Sequence, residues 1–139
     1  MRKILMVTCG ILMVSSVVMA EEETTETCAN GAGVVITGAV TGYKYCRSNN
    51  PMNWWNAVSW CDALKRPSFD LDDCGCDWST NCQRKCPELA KVADYQYLWM
   101  ITPASDSTAY FVNPLFGSVA SQNRSDYSWS NYQAFALCK

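Results

Sequence analysis

The sequence predicts an α+β domain that is stabilised by disulfide bonds. The 139-residue chain has the length of one domain. Segments rich in β-branched and aromatic residues flank two segments with helical periodicity. Eight cysteines remain once the amino-terminal segment is set aside, and an even number in an exported chain indicates a framework of four disulfides.

Residues 1–20 have the pattern of a secretory signal peptide. A basic start precedes an apolar run, and Val18 and Ala20 occupy the −3 and −1 positions of a cleavage site after Ala20. A membrane span fits less well because polar residues interrupt the run. A lipoprotein site at Cys9 fits poorly because most of the apolar run follows that cysteine. We therefore expect no membrane span after cleavage, and a product that is secreted, periplasmic or displayed at the cell surface.

Charge and composition exclude several functions. The full chain has a net charge of −2. Cleavage of the signal removes two basic residues, so the mature chain has nine basic and thirteen acidic residues and a net charge of −4. Nucleic acid is not an expected partner, because phosphate binding requires a concentrated basic patch and none is visible. The chain has no histidine, which removes histidine-based nucleophile pairs and imidazole metal sites.

The mature chain is predicted to start with a short acidic leader and a hairpin. Residues 21–27 lack any large apolar side chain and are predicted to be disordered. We place the domain at 28–139. Within it, the segments VVIT and GYKYC predict two strands joined by a tight turn.

The segment MNWWNAVSWCDAL predicts the first helix. Asn53 can cap the free amides of its first turn. One face carries an apolar stripe that should point inward: Trp54, Ala57, Val58, Cys61 and Leu64. Trp55 and Trp60 fall outside this stripe, so we expect them to pack on a second layer or to lie partly exposed.

The central segment 67–86 holds four cysteines and little periodicity, which predicts a loop shaped by cross-links. Zinc is an alternative, but the paired CxxC spacing of a zinc knuckle is missing. The four aspartates of this segment lack the pattern of an EF-hand loop, so calcium is not expected there either. We therefore assign no metal and no cofactor. Pro87 then opens a second short helix, PELAKVADYQ.

From Tyr97 onward the sequence predicts short strands, at 98–102, 108–113, 117–121 and 132–138. In the last strand, Cys138 shares one face with two alanines, so a helix can approach it closely. Because Cys61 lies on the inward face of the first helix, it is the natural partner of Cys138.

The order of these elements resembles a C-type lectin-like domain over residues 28–138. The most specific features are the W-x-x-A-x-x-x-C pattern that ends at Cys61 and the terminal F-A-L-C that ends at Cys138. The resemblance implies a C-type lectin-like fold with an N-terminal hairpin, two helices and short antiparallel sheets. It also implies the bridges Cys61–Cys138 and Cys28–Cys46. The remaining four cysteines would form two local bridges with three possible pairings: Cys74, Cys76, Cys82 and Cys86.

The chain departs from the sugar-binding members of that family. Those members hold a calcium ion with Glu-Pro-Asn or Gln-Pro-Asp and Trp-Asn-Asp triplets, whereas this chain has VNP at 112–114 and WSN at 129–131. Neither triplet supplies the carboxylates that calcium prefers. We therefore expect a monomeric, calcium-independent binding module that recognises an extracellular protein, glycan or cell-surface ligand, as in adhesion or carbohydrate binding.

The carboxy-terminal loops are the expected recognition surface, because aromatic and amide side chains are typical of binding loops. The candidate ligand-binding residues are Asn113, Asn123, Arg124, Asp126, Tyr127, Trp129, Asn131 and Tyr132. A polar hairpin with one buried tryptophan is the alternative for this segment. For the whole protein, the alternatives are a structural envelope protein or a small secreted enzyme. Such an enzyme would be a hydrolase using Asp70, Asp72 and Asp94, or a relative of the formylglycine-generating enzymes.

Overall fold

A mixed β-sheet dominates the structure, a computed structural model that describes residues 26–76, 84–90, 96–129 and 132–139. The predicted signal peptide lies outside these residues. Eight strands form the sheet: β1 (Thr27–Cys28), β2 (Gly33–Thr37), β3 (Lys44–Pro51), β4 (Tyr97–Pro103), β5 (Thr108–Asn113), β6 (Ser118–Asn123), β7 (Ser128–Trp129) and β8 (Tyr132–Cys138).

The last strand along the chain lies in the middle of the sheet. Seven strands follow the order β1-β2-β3-β8-β4-β5-β6, and β7 pairs with β8. All pairs are antiparallel except β4 with β8, where Leu98 is aligned with Phe135 in parallel. β8 therefore connects the amino-terminal hairpin to the β4–β6 meander.

One α-helix, α1 (Trp54–Ala63), packs against β8. Its cap matches the prediction, since the Asn53 side chain accepts a hydrogen bond from the Asn56 amide at 2.9 Å. The predicted stripe is also confirmed. Three of its residues are buried and two are partly buried against the same core: Trp54, Ala57, Cys61, Val58 and Leu64.

The sheet has a hydrophobic core on each face, as the alternation in β8 predicts. Ala134, Ala136 and Cys138 join the core under α1, whereas Phe135 and Leu137 join the core on the opposite face. That second core is covered by the cysteine-rich segment, which contributes these buried side chains: Phe69, Leu71, Cys74, Cys86 and Leu89. The described parts of this segment thus cover the second face of the sheet.

The amino-terminal hairpin is present, with Val35 of β2 aligned with Cys46 of β3. β1 begins at Thr27, one residue before the predicted start of the domain, and Thr27 is aligned with Val34. The Glu26 carbonyl accepts a hydrogen bond from the Val35 amide at 2.9 Å. The sheet therefore includes Thr27, the last residue of the predicted acidic leader, and Glu26 is hydrogen-bonded to it.

The predicted fold class is wrong. A two-helix α+β C-type lectin-like fold with short antiparallel sheets is not evident, because the described residues form one mixed sheet with one α-helix. In the described start of the predicted second helix, residues 87–90, a 3-10 turn forms at Pro87–Leu89 and Ala90 is extended with ψ 128°. Cys86 is bridged to Cys74, and the Glu88 side chain is bound by the hairpin, so tertiary contacts fix this segment against its helical propensity. Residues 91–95 lie outside the described part.

Three disulfides join described residues: Cys28–Cys46, Cys61–Cys138 and Cys74–Cys86. The first two confirm the pairings implied by the resemblance. The third bridge is compatible with only one of the three possible pairings of the central cysteines, the one that joins Cys76 to Cys82. Cys76 is disulfide-bonded, as this pairing requires. Cys82 lies outside the described residues. The bridges are consistent with an oxidising environment. Across the described ranges, we find no helix with both the length and the apolar character needed to cross a membrane.

Candidate binding surfaces

Arg124 lies against two tryptophan rings at the amino-terminal end of α1. Its guanidinium carbon is 4.6 Å from the centre of the Trp54 ring and 5.4 Å from that of Trp55. Its Nε donates to the Thr108 carbonyl at 3.1 Å, and its Nη2 donates to the Ser105 carbonyl at 2.5 Å. Four neighbours thus hold one half-buried cation in a fixed orientation.

The two tryptophans have different roles. Trp54 is buried, and its Nε1 donates to the Met100 carbonyl at 2.8 Å, so it belongs to the core. Trp55 stands edge-on to Trp54 with ring centres 4.8 Å apart, and 54% of its surface is exposed. Sequence reasoning did not assign Trp55 to the site. Its position just outside the inward stripe was the available signal, but its contact with Arg124 depends on the tertiary fold.

A tight turn follows β6 and carries three more of the predicted residues. The Asn123 Oδ1 accepts from the amide and the hydroxyl of Ser125, and the Asp126 amide donates to the Asn123 carbonyl at 3.1 Å. Tyr127 follows, with 48% of its surface exposed. Its carbonyl accepts from the Ala134 amide at 2.9 Å, which ties the turn to the central strand.

Trp55, Arg124 and Tyr127 are here called the loop surface. The Trp54 amide donates to the Arg124 carbonyl, and the Ala134 residue that binds Tyr127 also accepts from the Met52 amide. These bonds place the turn and the start of α1 at the same end of the molecule. The loop surface therefore combines a fixed cation with two half-exposed aromatic side chains.

Not all of the predicted site residues join the loop surface. Trp129 and Tyr132 are aligned where β7 pairs with β8. The structure does not describe the side chains of these two residues or any part of Asn131. Asn113 is aligned with Ser118 at the other end of β5, about 17 Å from Thr108 along the strand. Its Oδ1 accepts from the Leu115 amide, so Asn113 shapes a distant turn.

A second feature is an open cleft of about 350 Å³ beside the start of β3. We call it the tyrosine cleft. Its lining residues are Thr41, Tyr43, Tyr45, Asp72, Asp73, Gly75 and Lys139. Tyr43 is half exposed, and its ring centre lies 4.8 Å from that of the buried Tyr45. Sequence reasoning missed this site because its residues come from three distant segments.

Glu88 lies beneath the tyrosine cleft and is fully buried. Its Oε1 accepts from the amides of Val40 and Thr41 at 2.9 Å, and its Oε2 accepts from the Tyr45 hydroxyl at 2.6 Å and from the Thr41 hydroxyl. Burial opposes ionisation of this carboxyl, but the hydrogen bonds from Thr41 and Tyr45 outweigh it, so the pKa of Glu88 is lowered. Burial and the bond to Glu88 raise the pKa of Tyr45.

The acidic segment beside the cleft has structural roles. Asp70 caps the 3-10 turn Leu71–Cys74, and its Oδ1 accepts from the Thr102 hydroxyl at 2.6 Å. Asp73 completes the capping box by accepting from the Asp70 amide. Asp73 also forms an ion pair with Lys139 at 3.2 Å. Asp94 lies outside the described residues.

Among the described residues, no three cysteine, aspartate or glutamate side chains are grouped as a metal site requires. In comparisons with known proteins, no family model matches the chain and no curated protein matches it. The two surfaces are therefore interpreted from their own side-chain chemistry.

Proposed function

We propose that the protein is an exported, calcium-independent binding module that recognises a protein, glycan or cell-surface ligand without chemistry. The observation that carries this proposal is the position of Arg124, which is held by two carbonyls and two indole rings beside the exposed Trp55. Binding surfaces typically combine such rigid aromatic area with an arginine.

Preorganisation is the physical advantage of the loop surface. A flexible arginine loses about 0.5 to 1.5 kcal/mol when a ligand immobilises it. Arg124 is already immobilised, so a ligand that contacts it avoids most of that cost. Two of its N–H donors bind the carbonyls of Ser105 and Thr108, and the guanidinium has others to offer to an acceptor group.

Backbone hydrogen bonds beside the two aromatic residues support the same function. Trp55 and Tyr127 expose about half of their area. The amide of Trp54, next to Trp55, donates to the Arg124 carbonyl, and the Tyr127 carbonyl accepts from the Ala134 amide. Aromatic side chains have few rotatable bonds, so they provide contact area at a low entropic cost. The disulfides suit export, and a secreted, periplasmic or surface-displayed monomer is the form that we propose.

The carboxylate-based hydrolase has less support. Asp70, one of its three candidate residues, accepts hydrogen bonds from Thr102 and from the Asp72 amide, and it caps a turn. A glycoside hydrolase needs two carboxyl groups that face each other across a cleft. Asp70 is engaged in supporting the backbone.

The test is a glycan array and a panel of cell-surface proteins probed with the disulfide-bonded chain. Trp55→Ala and Tyr127→Ala should each weaken binding of any ligand found by roughly tenfold, a difference of about 1.4 kcal/mol. Phe116→Ala is the matched control, because Phe116 is 62% exposed and lies in the turn between β5 and β6 at the end away from Asn123. We expect this control to bind like the unmodified chain.

Two results would contradict the proposal. Turnover of a glycoside or ester substrate by the purified chain would assign an enzymatic function. Equal ligand affinity for Trp55→Ala, Tyr127→Ala and the unmodified chain would remove the loop surface from recognition.

A further inference from the structure

We propose that the tyrosine cleft is a second binding site and that its ligand is a neutral saccharide. This inference does not depend on the loop surface. The cleft lies beside Tyr45 near the start of β3, whereas α1 begins just after the end of that strand at Pro51. These two positions are separated by about 20 Å of extended chain.

The exposed ring of Tyr43 supplies a flat apolar face. Tyr43 packs on Tyr45 with an interplanar angle of 45°, and half of its surface remains open to solvent. The C–H bonds on one face of a pyranose ring carry a small positive charge. Because the face of an aromatic ring is negative, a sugar ring can stack on Tyr43.

The charges around the cleft select against anionic ligands and suit the hydroxyl groups of a sugar. Two carboxylates and one ammonium group line the cleft, so its net charge is negative and disfavours an anion. Sugar hydroxyls are both donors and acceptors, so they can donate to the carboxylates and accept from the ammonium group. Asp73 and Lys139 are already paired at 3.2 Å, with 22% and 36% of their side chains exposed, so they present both signs at a fixed spacing.

The cleft is rigid because its floor is tied together from three segments. The Tyr43 amide donates to the Thr41 hydroxyl oxygen at 3.0 Å, and that hydroxyl donates to Glu88. The Gly38 amide donates to the Tyr43 carbonyl at 2.8 Å, which closes the hairpin loop. The Cys74–Cys86 bridge joins the acidic turn to the segment that carries Glu88. A preformed site reduces the entropy lost on binding.

The volume of the cleft limits the size of the ligand. About 350 Å³ is at the lower end of the range for small-molecule sites, roughly 300 to 1,000 Å³. The cleft can therefore hold a short part of a glycan and not a large folded partner. Contacts over so small an area predict weak binding, in the millimolar range for an isolated oligosaccharide.

The experiment is an NMR titration of the isotope-labelled, disulfide-bonded chain with cellohexaose, maltohexaose and acetylated chitohexaose. Hexalysine and hexagalacturonate serve as cationic and anionic probes. We expect saturable shifts of the Tyr43 and Gly75 amides with at least one neutral oligosaccharide. Tyr43→Ala should weaken that binding at least about tenfold. Tyr43→Phe, which keeps the ring, should retain it, as should the distant Phe116→Ala.

Other results would overturn the assignment. If the Tyr43 and Gly75 amides shift only with a charged probe, the cleft is not a neutral saccharide site. The same holds if no neutral oligosaccharide shifts them, or if Tyr43→Ala binds as tightly as the unmodified chain. The Tyr43 and Gly75 amides report on the cleft alone. A negative result in this titration therefore does not contradict the proposed function of the loop surface. Likewise, unchanged ligand affinity for Trp55→Ala and Tyr127→Ala does not contradict the saccharide site.

Discussion

The guanidinium of Arg124 lies 4.6 Å from the centre of the Trp54 ring and joins the turn after β6 to the first residue of α1. The same two residues are linked by their backbones, since the Trp54 amide donates to the Arg124 carbonyl at 3.0 Å. One residue pair thus fixes the turn after β6 to the helix that packs on the central strand. Substitutions at Arg124 should therefore affect both stability and binding.

Arg124→Lys should destabilise the protein although it preserves the charge. A lysine cannot supply the planar donor pair that binds the carbonyls of Ser105 and Thr108 while stacking on indole. We expect a loss of about 1 to 2 kcal/mol in the free energy of unfolding, measured with urea under non-reducing conditions. Gln122→Lys, at the end of the neighbouring strand β6, is the control. Equal stability of Arg124→Lys and the unmodified chain would show that the contact is incidental.

Glu88→Ala should destabilise the protein more than Glu88→Gln. Alanine removes the acceptor for the amides of Val40 and Thr41 and for the Tyr45 hydroxyl, and a hydrogen bond to a charged group contributes about 1.5 to 3 kcal/mol. Glutamine keeps one acceptor oxygen for these amides. We expect a loss of about 3 kcal/mol or more for alanine and about half of that for glutamine, from urea unfolding. A loss below about 1 kcal/mol for alanine would contradict the anchoring role.

The stability of the protein should fall in acid partly because of Glu88. Its pKa is lowered in the folded state, so the unfolded chain binds this proton more tightly than the folded chain does. The stabilisation by the ionised carboxylate is present above pH 4.5, the ordinary pKa, and is lost as the pH falls towards the folded pKa. Glu88→Gln should therefore show a shallower loss of stability below that pH. Identical pH profiles for the two proteins would contradict this.

Gly38→Ala should disrupt the hairpin loop through a clash. A β-carbon at position 38 would lie 2.2 Å from the Glu88 Oε2, and that side chain is fixed by four hydrogen bonds. We expect a loss of about 2 kcal/mol or more. Gly42→Ala in the same loop is the control, because nothing lies within 4 Å of its added carbon and only its φ of +74° costs about 1 kcal/mol. If the clash is the cause, the Gly38→Ala penalty should largely disappear when Glu88 is also alanine.

The Cys61–Cys138 and Cys74–Cys86 bridges should differ in their contribution to stability. Cys61 and Cys138 are 77 residues apart, and the chain-entropy relation gives about 4 kcal/mol for a loop of that size. Cys74 and Cys86 are 12 residues apart, for which the same relation gives about 3 kcal/mol. We expect the Cys61→Ala, Cys138→Ala double variant to be less stable in urea unfolding than the Cys74→Ala, Cys86→Ala double variant. The opposite order would show that native packing outweighs chain entropy.

Local patterns in the sequence predicted the elements that depend on periodicity. The stripe from Trp54 to Cys61 and the alternation from Ala134 to Cys138 each place side chains on one face of a single element, so the residues alone determine them. The bridge between Cys61 and Cys138 follows from bringing those two faces together.

Features that depend on contacts between distant segments could not be predicted. The parallel pairing of β8 with β4 joins two segments that are distant in the sequence, so no local pattern predicts it. The described start of the predicted second helix is not α-helical, and its Glu88 is bound by the hairpin, whose bonding residues lie 43 to 48 positions earlier. The tyrosine cleft joins the hairpin loop, the acidic turn and Lys139, which lie too far apart in the sequence for a local pattern to bring them together.

The central position of β8 also determines when the protein can fold. The strands on its two sides, β3 and β4, are held together by residues 132–138, which leave the ribosome after every other strand described here. Until those residues arrive, the hairpin and the meander have no shared backbone hydrogen bonds, and the sulfur of Cys61 lacks its partner. The sheet must therefore assemble late and through pairings of long sequence separation, which makes folding slow. The described part of the chain therefore cannot close its sheet before residues 132–138 are available.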